Sequence, residues 1–209
     1  GAILIVDGVT AGDSVDINCA CCAWRQFEEC RRFVVVSSVS VTVAAQENME
    51  ANIVNFTVGS WTFKQYQDAC ANEVFFEKVK EKLKCPGLEE VEDKDQLLLS
   101  KYYFAGGCAR WMFEFSYTVW YNDFTTHLAI VSNYAVLLEV GGGDQNAVSV
   151  NHLRGVTLLT TNQGKEKKYF FISQYAAGAL AEKCNNKCKF LTDSYAKAAE
   201  TQNPAFEGW

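Results

Sequence analysis

Two continuous apolar runs, Ile3-Leu4-Ile5-Val6 and Phe33-Val34-Val35-Val36, are separated by a polar loop and a stretch of helical character. A strand with one face in water alternates apolar and polar residues, whereas one that is apolar throughout needs cover on both faces. The order strand, helix, strand therefore points to a parallel pair inside an α/β layer with helices packed on it. The helix is expected around Ala23 to Arg31, and residues 1–58 are assigned to a partial α/β core.

The period changes after Ser60-Trp61. Thr62-x-x-Gln65 has the form of a capping box, and Tyr66, Ala69 and Cys70 follow on one helical face. Phe75, Val79 and Leu83 continue at helical spacing until Cys85-Pro86-Gly87 stops the helix, and Glu89 to Asp95 is an acidic connection. A further helix is expected over Ala109 to Phe115, and another is marked by Phe124, Leu128, Val131, Ala135 and Leu138. Residues 59–143 thus form a helical bundle or lid, and Gly141-Gly142-Gly143-Asp144 breaks it from a last module. In that module, 144–209, Val156 to Thr160 and Tyr169 to Ile172 flank the turn Asn162-Gln163-Gly164 as a hairpin. Ser173 then caps a helix running from Gln174 through Cys188, so that hairpin and helices together have a winged-helix-like pattern.

Composition excludes several classes. A chain of 209 residues, 49% hydrophobic and 21% charged, buries a core of ordinary size. Its net charge of −6 argues against nonspecific adhesion of the whole surface to nucleic acid or acidic lipid. Nine cysteines is an odd count, too sparse for a disulfide scaffold, and buried reduced thiols in an intracellular compartment are expected. Apolar runs fall short of the roughly 20 residues a bilayer core requires, so no membrane is expected. The chain opens on Gly1-Ala2 directly before a strand and reads as an internal piece of a longer protein.

Three signals carry nucleotide chemistry in this reading. Asp7 closes the first apolar run; in P-loop NTPases an acid there holds the magnesium of the nucleotide, often through water, because a hard cation prefers carboxylate oxygen. Ser37 and Ser38 close the second run, where additional-strand NTPases place a polar residue that senses the terminal phosphate. Arg110 follows Gly106-Gly107 in the first turn of a helix, where a lid arginine would meet phosphates with its planar guanidinium. The competing readings are an Asp-Gly turn, a serine-rich turn and an arginine on a solvated helix face. No G-x-x-x-x-G-K-S/T loop occurs, so hydrolysis by this chain alone is not expected. Gly8 follows Asp7 where many ATPases carry a glutamate, and the nearby Asp13 and Asp16 are read as loop acids.

Lys165, Lys167, Lys168, Lys183, Lys187 and Lys189 concentrate positive charge in the last module and form a candidate phosphate-contacting surface for nucleic acid. Thiolate zinc sites use paired C-x₂₋₄-C spacings, and neither Cys19-Ala20-Cys21-Cys22 nor Cys184/Cys188 has a histidine-reinforced partner. His127 and His152 lie near no cysteine pair, so zinc ligation of this kind is not expected.

Four stretches resemble the Crinkler effectors of oomycetes and the related retrotransposon hot spot proteins of trypanosomes. They are Ile5-Val6-Asp7-Gly8-Val9; Trp61-Thr62 with Tyr66 and Ala69-Cys70; Tyr102 to Phe113; and Asn203-Pro204-Ala205-Phe206-Glu207-Gly208-Trp209. The resemblance implies a P-loop NTPase followed by a winged-helix element and a nuclease domain, using ATP or another NTP with magnesium. It further implies secretion by a pathogen, delivery to a host nucleus, action on DNA and contact with host proteins, with oligomerisation allowed. Under it Asp7 is the magnesium-associated acid, Ser37 or Ser38 the phosphate sensor, and Arg110 the lid arginine. The alternative is a degenerate NTPase fold serving as a protein-interaction module.

Overall fold

The computed structural model describes residues 2–9, 14–26, 31–37, 54, 56–131, 152–161 and 164–183, with Lys189, Thr192, Asp193 and Ala196. The chain forms two compact units, 1–57 and 58–209. The architecture is mixed α/β, with small two-stranded sheets and α-helices and, among the described residues, no closed barrel. No described helix is long and apolar enough to cross a membrane.

In the first unit, β1 (Ile3–Val9) pairs in parallel with β2 (Arg32–Ser37), and α1 (Ser14–Arg25) makes the crossover. The helix begins well before the expected Ala23, which places Asp16 in its first turn rather than in a loop. Trp24 fastens the end of the crossover by donating its indole N–H to the Arg32 carbonyl at 3.1 Å. The expected double cover does not extend over the whole sheet: Ile3 and Ile5 remain about two-thirds exposed while Leu4 and Val6 are half-buried. A single crossover helix can shield only one face of a two-stranded sheet, so the apolar run acquires an alternating exposure.

The second unit opens with α2 (Phe63–Cys70), where the capping box forms as expected: Thr62 Oγ1 accepts from the Gln65 N–H and the Gln65 carboxamide oxygen accepts from the Thr62 N–H. The helical run does not continue through to Leu83. It breaks at Asn72, whose side chain caps a new helix, α3 (Glu73–Leu83), by accepting from the Phe75 N–H at 3.1 Å. Asp93 caps α4 (Lys94–Ala105) in the same manner at 2.8 Å, giving the acidic connection a structural task. The short α5 (Ala109–Phe113) and α6 (Tyr117–Ile130) are the remaining helices among the described residues of this region. Ala135, Leu138 and the 141–144 break lie outside the described residues.

The hairpin is longer than expected, with β3 (Arg154–Thr161) antiparallel to β4 (Gly164–Phe171) in the register Arg154↔Phe171 through Thr161↔Gly164. Ser173 Oγ accepts from the Ala176 N–H at 3.1 Å and so caps α7 (Gln174–Lys183), as its position implied. Helices and hairpin share one core in which Tyr66, Trp111, Trp120, Phe124, Leu153, Phe171 and Leu180 are almost wholly buried. Trp120 stacks on Phe124 with centroids 5.4 Å apart and meets Trp111 edge-on at 6.1 Å. Cys70 is buried as expected and Cys85 is buried too, whereas Cys108 is half-buried and Cys19 and Cys22 on α1 are exposed.

Gly106 and Gly107 form the joint between α4 and the end of β4. Gly106 has φ 51°, and a Cβ on it would lie 1.8 Å from the Ile172 carbonyl oxygen. The Gly107 N–H donates to that same carbonyl at 3.0 Å, and the Gly107 carbonyl accepts from the Trp61 N–H at 3.0 Å. Ser60 completes the joint by exchanging bonds with Val156, through its backbone N–H at 2.8 Å and its Oγ at 3.1 Å.

Candidate functional site

Asp7 lies inside β1, two residues before its end, rather than closing it. The pairing advances from Val6↔Val35 to Val9↔Ser37, so β1 accommodates one extra residue around Asp7 and Gly8. Such irregularities re-aim a side chain. Asp7 is exposed near the carboxyl ends of two parallel strands, and the backbone of Ser37 closes the neighbouring strand at that same end. In parallel α/β sheets the carboxyl ends of the strands are where ligands bind. No sequence segment carries a G-x-x-x-x-G-K-S/T loop. Ser38 lies outside the described residues.

Arg110 belongs to the second unit, in the first turn of α5, where Nε pairs with Glu114 at 3.3 Å and both side chains are largely exposed. Among the basic residues, Lys167 and Lys168 are consecutive on β4 and so project to opposite faces of the hairpin. Lys167 is exposed, and Lys168 is half-buried with its Nζ 2.8 Å from Glu166. Lys165 holds the register position opposite Thr160, and Lys187 lies outside the described residues.

A cluster that sequence reasoning did not assemble sits beside the core of the second unit. Asp123 and His127 are four residues apart on one face of α6, and His152 stands just before β3. Asp123 Oδ1 is 3.5 Å from His127 Nε2, and Oδ2 is 3.1 Å from His152 Nδ1. The two imidazoles stack, centroids 3.7 Å apart and planes 28° from parallel. Trp111 donates its indole N–H to Asp123 Oδ2 at 2.9 Å, fixing the carboxylate from the core side. All three side chains are partly exposed, His127 least. Burial, and secondarily the charge of His152, hold His127 below the usual histidine range, with Asp123 opposing. The i, i+4 pair of Asp123 and His127 was visible in the sequence; its meeting with His152 is a product of the fold.

Comparison with known proteins finds no matching family, no matching curated protein and no matching solved structure.

Proposed function

We propose that this chain is part of a nucleotide-dependent effector of the Crinkler and retrotransposon hot spot type, acting on nucleic acid. Its first unit contributes the magnesium-associated side of an NTPase site. The observation that carries this reading is the parallel pairing of β1 and β2, which sets Asp7 and Ser37 at the carboxyl end of one sheet in the order such enzymes use. Asp7 would hold magnesium through water, and magnesium in turn would neutralise the nucleotide phosphates. The phosphate-cradling loop would come from outside this sequence. Arg110, largely exposed and paired with Glu114, is carried as the lid arginine on the resemblance alone. The hairpin lysines, Lys167 foremost, would contact nucleic-acid phosphate without reading sequence.

The test is magnesium-dependent ATP binding and hydrolysis by the full-length protein beside its Asp7→Ala variant. Binding and turnover in the parent, with turnover lost in the variant, support the reading. Absence of nucleotide binding in both moves the assignment to an interaction module built on the same fold, which Gly8 in place of a glutamate favours.

A further inference from the structure

The side chains of Asp123, His127 and His152 bring one ligand atom each within 4.8 Å of one another. We propose that they form a binding site for a divalent transition-metal cation of the zinc class, independent of any nucleotide site. Tetrahedral zinc holds nitrogen and carboxylate oxygen at about 2.0–2.2 Å, which sets neighbouring ligand atoms about 3.4 Å apart. The Asp123 Oδ1–His127 Nε2 separation of 3.5 Å and the Oδ2–His152 Nδ1 separation of 3.1 Å lie on either side of that value through two different carboxylate oxygens, and metal uptake would require the imidazoles, now stacked with centroids 3.7 Å apart, to swing so that both nitrogens converge on the ion.

The donor set selects the ion. Two imidazoles and one carboxylate suit zinc and its first-row neighbours, whereas magnesium and calcium require shells of oxygen. Three protein ligands leave a position for water, and both His152 and Asp123 are partly exposed. The support behind the ligands is of the kind metal sites use. Asp123 is held by the N–H of the buried Trp111, and ligating carboxylates are commonly fixed by such a hydrogen bond. His127 shares a helix face with Asp123, so their relative position is set by α6 alone. His152 comes from a separate segment 29 residues beyond Asp123, so a bound cation would tie α6 to the start of the hairpin. A purely hydrogen-bonded clamp is the competing description.

The experiment is titration of the chelator-stripped chain with Zn²⁺ by calorimetry and with Co²⁺ by visible absorbance, using wild type, Asp123→Asn, His152→Gln and Trp111→Phe. One equivalent should bind with the spectrum of a nitrogen and oxygen site and without thiolate-to-cobalt charge transfer. Asp123→Asn and His152→Gln should weaken binding by more than the 10–100-fold typical of a supporting group, and Trp111→Phe by about 10-fold. Zinc should also raise the thermal midpoint of the wild type and not of His152→Gln. His152 is partly exposed, so its variant keeps the test usable if Asp123→Asn fails to fold. A thiolate signature that survives His152→Gln and disappears in a Cys19→Ser, Cys21→Ser, Cys22→Ser triple variant would overturn the proposal. So would a wild type that takes up neither ion, leaving only the clamp.

Discussion

The indole of Trp111 and the carboxylate of Asp123 meet at 2.9 Å, joining an almost fully buried ring on α5 to a partly exposed acid on α6. A hydrogen bond to a charged acceptor is worth more than one between neutral groups, and partial exposure of the carboxylate reduces that gain. Trp111→Phe removes the donor and also leaves a cavity where the larger indole is packed, since the ring is almost fully buried. We expect it to cost about 2–4 kcal/mol, measured by urea unfolding followed by circular dichroism.

Glycine substitutions should separate steric necessity from mere flexibility. Gly106 combines positive φ with backbone 1.8 Å from a would-be Cβ, whereas nothing lies within 4 Å of one on Gly178 in α7. Gly106→Ala should lose about 3 kcal/mol or more through strain and overpacking. Gly178→Ala should gain about 0.5–1 kcal/mol through helix propensity. Chemical denaturation of both variants checks the contrast, and a mild Gly106→Ala would show that α4 can move away from Ile172.

Lys101 is fully buried on α4 and donates to the Phe115 carbonyl at 2.9 Å. Burial holds its ammonium down to about 8. Because the folded value is depressed, the unfolded chain binds the extra proton between that value and the ordinary lysine range. The destabilisation is therefore complete below about pH 8 and is relieved as pH rises toward about 10.4. Relative to Lys101→Met, the wild type should gain about 2 kcal/mol between pH 7 and about pH 10. The buried Cys85 thiol, raised by its own burial, acts in the opposite direction, and because the Lys101 charge lowers it, Lys101→Met raises it further and adds to the difference between the two proteins. A pH-independent difference between the two would contradict the shift.

The caps of α2 and α3 give a graded pair. Thr62→Ala removes one half of a reciprocal box and Asn72→Ala a single acceptor, and each should lower stability by about 1 kcal/mol. Thermal unfolding of the two single variants and the double variant should show near-additive losses, because the caps serve different helices.

Local chemistry was legible before the fold was known. The Thr62–Gln65 box, the Ser173 cap and the stop after Leu83 are written within a few residues and form as written. The Asn162-Gln163-Gly164 turn likewise predicted the hairpin that β3 and β4 make. The crossover helix was misplaced because Val15, Ile17 and the Cys19 to Cys22 cluster do not sort into one apolar stripe, while Ala23 to Arg31 mimics one. Lys101 gave no sign of burial, since its environment is supplied by residues distant in sequence. The same holds for His152, which faces Asp123 only after the hairpin docks on the helices.

The glycine joint also bears on how a sequence signature should be interpreted. The stretch from Tyr102 to Phe113 contributes aromatic core residues, the close approach of Gly106 to Ile172 and the anchor at Trp111. Those positions satisfy steric demands of the second unit without requiring that anything react there. The glycine pair is thus accounted for by the close approach of one backbone to another, whatever chemistry the chain performs.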